Sequence, residues 1–412
     1  MRKIVSSIDI GSDTIKFVVG EFIDDKLHIL SADKIASKGI ENGKVIDAKE
    51  LSMKIKNIVE QASLSIGVEI KKTILGINMH NAKLIKSTGL VDIKSDDGII
   101  TGGDVEEVIK KSASGLIDEG FVLLGVIPIR FILDNEKVTK DPKNMKSTKL
   151  GVQSIVITTS KDYVSKVMAA IADAGLKVVD IIPNALGDYY AFRDDETDSV
   201  AGAVINIGCE QTSISVFNRG ILTNNKTYKI GGENIIRDIA YLNKLDFDKS
   251  REVYNDLALG ALDLANQHAI KTLTTLEQRE VEINEYDISA ITVSRIEEIL
   301  NLAKKQINIL TKKEISYIIV TGGLTELKDF NLTMERIMGN NSRIGSINII
   351  GARDNSFAPA IGVLKYFEEK ISLRGKVYSI FKDSEIEKMN NKDNKSGGNT
   401  SLLGKVFGYF FE

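Results

Sequence analysis

The chain has 412 residues, 43% of them hydrophobic, and a formal net charge of −3 at pH 7. This length exceeds a single compact core, so we expect two or more lobes. The slightly acidic balance excludes a whole-chain affinity for nucleic acid. A single cysteine, Cys209, excludes an intrachain disulfide and is typical of a reducing cytoplasm.

The first 83 residues predict an α/β lobe. Alternating apolar residues indicate strands over residues 3–10, 15–22 and 26–36. A helix follows over residues 48–65, and a further strand over residues 73–77. A sheet followed by a helix is the arrangement expected of such a lobe.

Residues 84–160 alternate strands with a helix and are compact enough to form an insertion of their own. The pattern predicts strands over residues 82–91, 121–133 and 151–159 and a helix over residues 103–114. A helix over residues 161–174, a strand over residues 178–182 and a helix from Asn184 follow.

The second lobe is predicted to start near residue 200. Residues 241–306 are largely helical in pattern. An apolar strand over residues 318–321 then runs into Gly322-Gly323. Paired glycines after a strand let the flat face of a base or a phosphate approach the backbone.

The most informative feature is a pattern that occurs twice, in residues 7–20 and 204–217. Each copy predicts a strand that ends in a carboxylate or amide, a Gly-containing turn and a second alternating strand. The turn offers backbone N–H groups to phosphate oxygens, and Asp9 can hold a hydrated Mg²⁺. Lys16 emerges on the returning strand, where its ammonium reaches the same phosphates. One such hairpin is often only a tight turn, but two of them and Gly322-Gly323 together favour a nucleotide site between two lobes.

These motifs resemble the actin-like ATPase superfamily and, within it, the bacterial cell-division FtsA family. Asp9-Ile10-Gly11-Ser12 with Lys16 looks like the first phosphate motif, Asn206-Ile207-Gly208 like the second, and Thr321-Gly322-Gly323 like the adenosine motif. Residues 228–240 are similar to the FtsA stretch after the second hairpin. Residues 84–160 look like the subdomain inserted in FtsA and in its pilus relative PilM. The likeness covers essentially the whole chain.

The resemblance implies an α/β, actin-like two-lobed ATPase fold of duplicated ribonuclease H-like domains, with ATP and Mg²⁺ between the lobes. Asp9 would hold Mg²⁺ through water. The implied nucleotide-binding residues are Asp9, Gly11, Ser12, Asp13, Lys16, Asn206, Gly208, Thr212, Gly231, Gly232, Glu233, Gly322, Gly323 and Leu324.

The same resemblance divides the chain into domains. The first lobe takes residues 1–83 and 161–197, and the inserted subdomain takes residues 84–160. The second lobe takes residues 198–240 and 311–382, with a helical subdomain at 241–310. A flexible linker at 383–399 and an amphipathic membrane-targeting helix at 400–412 complete the division.

Some positions depart from the family pattern. Asn206 stands where the second phosphate motif usually carries Asp, and residues 209–211 replace a Gly-Gly-Thr run. Asn184 stands roughly where many relatives place Glu or Gln, and Ile236 replaces a usual Thr. An amide orders Mg²⁺ or an attacking water less well than a carboxylate does. Glu210 would repel phosphate unless its side chain points away, so we expect at most a weak ATPase.

The C-terminal region changes composition sharply. Residues 390–399 contain almost nothing to bury, which predicts a flexible tether. Large apolar residues then recur at helical spacing and favour a membrane-surface helix, although docking on the protein's own core is an alternative. They are Leu402, Leu403, Val406, Phe407, Phe410 and Phe411.

The resemblance implies a polymerising protein that tethers FtsZ filaments to the inner face of the cytoplasmic membrane at the division site and recruits other division proteins. The helical subdomain would bind the FtsZ C-terminal peptide, with Arg295 either a basic contact or part of a surface ion pair. The alternatives are a PilM-like cytoplasmic scaffold of a pilus or secretion machine and, less readily, a sugar or acid kinase. The apolar tail favours FtsA over PilM, and Asn206 argues against a kinase.

Overall fold

The computed structural model describes residues 2–134 and 136–394. The described residues contain two five-stranded sheets, one in each lobe, and a four-stranded sheet between them in sequence. No helix in this part of the chain is both long enough and apolar enough to cross a bilayer.

The first lobe begins with a meander of long antiparallel strands. Its elements are β1 (Lys3–Ile10), β2 (Thr14–Ile23), β3 (Lys26–Ala36), β4 (Ile40–Glu41), β5 (Lys44–Val45), α1 (Ala48–Ile66) and β6 (Lys72–Ile77). Helix α1 starts at Asp47, whose side chain accepts the amides of Lys49 and Glu50, and ends at Gly67 with φ +85°. Its apolar face is buried against the sheet, so the predicted α/β arrangement is confirmed.

The inserted region forms a separate antiparallel sheet in the order β7-β10-β8-β9. Its elements are β7 (Lys83–Asp92), α2 (Gly102–Ala113), β8 (Phe121–Leu133), β9 (Val138–Thr139) and β10 (Lys149–Ser160). Val105 and Val108 of α2 are buried with Phe131 and Val152 in a core of this region's own.

The chain then returns to the first lobe through α3 (Lys161–Asp173), β11 (Lys177–Pro183) and α4 (Asn184–Phe192). Strand β11 pairs in parallel with β6 and completes the order β11-β6-β1-β2-β3. All nine residues of α4 are buried. A helix buried on every side must lie between other elements, and α4 lies where the two lobes meet.

The second lobe repeats this plan. Its elements are β12 (Ala201–Ile207), β13 (Thr212–Asn218), β14 (Ile221–Tyr228), α5 (Gly232–Asn243), α6 (Phe247–Leu257), β15 (Ile270–Thr274), β16 (Glu280–Asn284), α7 (Glu285–Leu310), β17 (Tyr317–Thr321), α8 (Phe330–Met338) and β18 (Ser342–Ile344). The sheet order is β14-β13-β12-β17-β18. Strand β12 pairs antiparallel with β13 and parallel with β17, as β1 does with β2 and β6. The predicted duplication is therefore confirmed in the topology.

The region predicted to be helical over residues 241–306 differs in one respect. It contains the antiparallel pair β15 and β16 between α6 and α7. Both strands are five residues long, and only one of their ten residues is buried. Strands this short give an alternation of only a few residues, which a mainly helical pattern over the surrounding region hides.

The C-terminal helices also differ from prediction. Helix α9 (Ala358–Leu373) packs on the first lobe, where Ser7 Oγ donates to the Ala360 carbonyl at 2.8 Å and Lys3 pairs with Glu368 at 2.6 Å. The sequence assigned this stretch to the second lobe, because its apolar pattern does not identify the sheet that it covers.

The predicted linker is also partly wrong. Residues 383–394 form α10 (Asp383–Asn394), in which Ile386 and Met389 are buried. Two apolar residues three apart share one helix face and can hold it on a core. The rest of the predicted linker and the predicted membrane helix at 400–412 lie outside the described residues.

Candidate functional site

The two lobes enclose a cavity of about 480 Å³. Most of the nucleotide-binding residues predicted from the sequence line it together: Asp9, Gly11, Ser12, Asp13, Lys16, Asn206, Gly208, Gly232, Glu233, Gly322, Gly323 and Leu324. Thr212 and Gly231 do not line it. Thr212 is buried and donates to the Ile230 carbonyl at 2.7 Å, whereas a Cβ on Gly231 would lie 2.4 Å from the Gly208 oxygen. Both residues therefore support the second hairpin from behind.

The two hairpins have the same local geometry. In the first turn the Gly11 amide donates to the Thr14 carbonyl at 3.1 Å, and in the second the Gly208 amide donates to the Gln211 carbonyl at 2.9 Å. Asp9 lies opposite Lys16 across β1 and β2, and Asn206 occupies the corresponding position on β12. The backbone of each turn, together with Asp9 in the first hairpin and Asn206 in the second, therefore lines the same cavity.

The middle of each turn offers backbone donors. Within the described residues, the amides of Ser12, Asp13, Cys209 and Glu210 donate to no protein acceptor. Successive free amides in a turn form a concavity suited to an anion. The amides that begin α5 differ, because those of Gly232 and Glu233 donate to the carbonyls of the second turn. Phosphate oxygens would therefore meet the two turns rather than the start of α5.

The floor of the cavity carries a buried charge pair. Lys16 Nζ lies 3.7 Å from Asp9 Oδ2, and both residues are less than a tenth exposed. Asn184 Nδ2 donates to Asp9 Oδ1 at 2.8 Å, while Asn184 Oδ1 is buried and has no partner among the described residues. This geometry fits a hydrated cation beside Asp9 and a phosphate beside Lys16. The orphaned amide oxygen fits a further donor, such as a water on that cation.

Helix α4 also contributes Asp188, which the sequence analysis missed. Asn206 Nδ2 donates to Asp188 Oδ1 at 2.8 Å. Burial raises the pKa of the Asp188 carboxyl to about 8. Asp188 follows Asn184 by one helical turn, so the first turn of α4 contacts both phosphate hairpins. The sequence offered one signal for Asp188: a carboxylate four residues after Asn184 lies on the same face of a helix.

In the second turn, Glu210 lines the cavity, but its carboxylate is held by a backbone donor of the other lobe. Its carboxylate accepts the Asn42 amide at 2.6 Å, and Gln211 Nε2 donates to the Asn42 carbonyl at 2.7 Å. The turn therefore points these two side chains at the β4–β5 hairpin of the other lobe. Burial raises the pKa of Cys209 to about 12, so its thiol stays protonated and is no nucleophile at neutral pH.

A wall of the cavity comes from α6, which sequence reasoning also missed. Arg251, Tyr254 and Asn255 lie on one face of that helix and line the cavity. Arg251 Nη1 lies 2.8 Å from Asp13 Oδ1, so an ion pair joins the two lobes across the opening. The sequence spacing i, i+3, i+4 predicts that these three residues share one helix face. It does not predict that this face meets Asp13.

The two glycines after β17 have different roles. Gly322 has φ +97°, and a Cβ there would lie 2.4 Å from the Ile207 oxygen. A Cβ on Gly323 would meet nothing within 4 Å. Gly322 is thus needed for the turn itself, whereas Gly323 leaves bare backbone open to the cavity. With the free turn amides, Lys16 and Asp9, this open backbone fits a nucleotide with its cation.

Arg295 lies on α7, outside the cavity. Its guanidinium is paired with Asp238 at 2.7 Å and with Glu298. The structure therefore shows the ion-pair alternative. Tyr241 and Leu242, one turn beyond Asp238 on α5, are 84% and 61% exposed.

Two family models match the chain. The SHS2 domain inserted in FtsA matches residues 80–158, and the cell-division protein FtsA matches residues 203–362. FtsA of Bacillus subtilis (strain 168) is 27% identical over 374 residues, which cover 90% of this chain and 84% of that protein. FtsA of Escherichia coli (strain K12) is 23% identical over 385 residues, which cover 89% of this chain and 91% of that protein.

Solved structures show the same fold. The PilM–PilN type IV pilus biogenesis complex aligns with a TM-score of 0.59 at 16% identity, covering 87% of this chain and 97% of that one. MreB5 of Spiroplasma citri bound to ADP aligns with a TM-score of 0.53 at 11% identity, covering 90% and 97%. The solved structures thus show an actin-like, two-lobed fold, and the matched family models and FtsA relatives show that the chain belongs to the FtsA family of cell-division proteins.

Proposed function

We propose that this protein binds ATP with Mg²⁺ between its lobes, polymerises, and tethers FtsZ filaments to the inner face of the cytoplasmic membrane at the division site, where it recruits other division proteins. The observation that carries the nucleotide part is the meeting of two equivalent hairpins, each with free turn amides, in one cavity. The neighbour MreB5 is bound to ADP, which supports a nucleotide in the same fold.

Each part of the nucleotide has matching chemistry in the cavity. The phosphates would lie against the two turns with Lys16 as counter-charge, and Asp9 would hold Mg²⁺ through water. The base would lie near Ile236 and Leu324 and on the open backbone of Gly323. Anionic phosphates gain most from amides and cations that are already oriented and partly dehydrated.

Calorimetric titration with Mg-ATP tests this site. Lys16→Ala removes a charged hydrogen bond worth about 1.5–3 kcal/mol, so Kd should rise about 10- to 150-fold. Lys56→Ala is the control, because Lys56 is 62% exposed on α1 and pairs only with Glu60 among the described residues. A wild-type protein without measurable affinity for Mg-ATP would refute the proposal.

The partner part rests on family membership and on an exposed surface. Tyr241 and Leu242 offer apolar area beside the Asp238–Arg295 pair, where a peptide from FtsZ can dock. Arg295 would then exchange Asp238 for an acidic group of the peptide. The apolar tail at 400–412 would supply the membrane contact, weak for one molecule and stronger in a polymer that presents many tails.

The alternative is a PilM-like scaffold. The likeness to the PilM–PilN complex is at 16% identity and shows the fold alone. A scaffold of that class would not need a membrane-binding tail, so liposome binding separates the two functions.

A further inference from the structure

We propose that Asp188 is a catalytic residue, the base that takes a proton from the water attacking the γ-phosphate of bound ATP. This inference rests on the proposed function, since it needs ATP in the cleft. It adds a reactive group that the hairpin residue Asn206, an amide, does not supply.

The carboxylates around the cavity single out Asp188. Four other lining carboxylates form ion pairs with Lys or Arg: Asp9, Asp13, Glu233 and Asp354. Two more, Glu210 and Glu326, each accept a hydrogen bond from a backbone amide. Among the described residues, no cation or backbone amide pairs with the Asp188 carboxylate. Asp188 is therefore the lining carboxyl group in this part of the chain that neither a cation nor a backbone amide binds.

Its position suits a water at the end of a phosphate chain. Asp188 Oδ1 accepts a hydrogen bond from Asn206 Nδ2 at 2.8 Å, which holds the carboxyl group next to the strand that enters the second turn. The other oxygen, Oδ2, is left for another partner. One helical turn earlier, Asn184 donates a hydrogen bond to Asp9, on the strand that enters the first turn. Both residues line the cavity with the two turns, so a phosphate chain held by both turns would end near them. Asp188 is only 3% exposed yet lines the cavity, so a water there would be shielded from bulk solvent.

The surroundings suit a base near neutral pH. Burial, opposed by the hydrogen bond from Asn206, raises the pKa of Asp188 to about 8. The charged groups that act on it are Asp9 from β1, which raises the pKa, and Lys16 from β2, which lowers it. A general base is most effective when its pKa lies near the working pH.

The proposed step is balanced. The water oxygen forms a bond to the γ-phosphorus as the bond from that phosphorus to the β–γ bridging oxygen breaks. One water proton passes to Asp188, and the products are ADP and inorganic phosphate. Asp188 then returns the proton to solvent.

The test compares full-length wild type, Asp188→Asn and the exchange variant Asp188→Asn/Asn206→Asp, with Asp173→Asn on the exposed end of α3 as control. Phosphate release with saturating Mg-ATP should fall about 100-fold in Asp188→Asn, the lower range for loss of a general base. ATP affinity from calorimetry should change less than about threefold, since a lost proton acceptor acts on the step and not on binding. The exchange variant keeps the hydrogen-bonded pair and should recover release at least about tenfold, and the control should match wild type.

Two further readouts separate a base from a structural role. The release rate of wild type should rise between pH 6 and 9 while that of Asp188→Asn stays flat. In the nucleotide-free proteins, the fall in unfolding free energy with rising pH should disappear in Asp188→Asn.

Three results would overturn the inference. They are equal release by Asp188→Asn and wild type, a wild type that binds Mg-ATP but releases no phosphate above the buffer rate, and an exchange variant as slow as the single one. A wild type that does not bind Mg-ATP at all refutes the proposed function itself, which calorimetry reports separately from release.

Discussion

Replacing Gly323 by valine tests whether a ligand approaches bare backbone after β17. In the nucleotide-free protein a Cβ at this position would meet nothing within 4 Å, and the residue is outside the left-handed region. Folding should therefore change by less than about 1 kcal/mol. At Gly322, by contrast, φ is +97° and a Cβ would lie 2.4 Å from the Ile207 oxygen. Gly322→Ala should cost about 1–3 kcal/mol of stability from backbone conformation alone, because φ +97° with ψ 172° is a region that essentially only glycine adopts.

The binding cost of Gly323→Val follows from the same geometry. If the ligand packs on the backbone, an isopropyl group has to fit into a filled contact. Overpacking of this kind costs about 1–3 kcal/mol. Kd for Mg-ATP should then rise about 5- to 150-fold, with a smaller rise for Gly323→Ala.

Two measurements on each variant decide the matter. Urea unfolding gives the stability, and calorimetric titration with Mg-ATP gives the affinity. We expect Gly323→Val to lose affinity at nearly normal stability, and Gly322→Ala to lose stability first. If Gly323→Val unfolds like wild type and also binds ATP like wild type, no ligand approaches the backbone there and the reasoning fails.

Three further predictions concern the tail, the partner surface and pH. Phe407→Glu should abolish co-sedimentation with liposomes, as should truncation after Asn399, whereas Ser401→Glu, on the opposite side of the predicted helix, should reduce it less; a truncated protein that still pellets would contradict the membrane role. Tyr241→Ser should weaken anisotropy-monitored binding of a labelled FtsZ C-terminal peptide about tenfold, and Leu64→Ser, at a residue 77% exposed on α1, should leave it unchanged; equal effects would reject this surface. Because the pKa of Asp188 is raised when folded, its contribution to stability is complete below its unfolded pKa near 4 and is lost as pH rises through about 8. Urea unfolding should show that loss, at most about 1.4 kcal/mol per pH unit, and a pH-independent free energy over this range would refute it.

The hairpin residues could be predicted from sequence because their geometry is local. In a two-stranded hairpin the register follows from the turn, so the pattern places Asp9 opposite Lys16 without reference to the rest of the chain. The glycine pair after β17 is equally local. Its two members could not be told apart, because the backbone angle and the distance to Ile207 depend on the neighbouring strand.

The remaining site residues depend on contacts between distant elements. Asp188 lies in a helix that is buried on all sides, and its pattern reveals neither Asn206 nor the cavity. Arg251 meets Asp13 across 238 residues of sequence, and only the closure of the lobes brings them together. The assignment of α9 failed for the same reason. Local periodicity identifies a helix and its apolar face, but not the surface that this face covers.

Control of the separation between the lobes is concentrated at the floor of the cleft. The Arg251–Asp13 pair at the opening is about 40% exposed on both sides, and an exposed ion pair contributes about 0.2–1 kcal/mol. The hydrogen bonds from Asn184 to Asp9 and from Asn206 to Asp188 involve buried carboxyl groups. Such a bond contributes about 0.5–1.5 kcal/mol when both groups are neutral and about 1.5–3 kcal/mol when the carboxyl is ionised. Asn184 and Asp188 lie on one helical turn, so the spacing of the two hairpins is fixed while both bonds hold. On the proposal that a nucleotide occupies the cleft, a ligand that draws the hairpins together would bend or exchange one of these bonds, so occupancy would be linked to the relative position of the lobes.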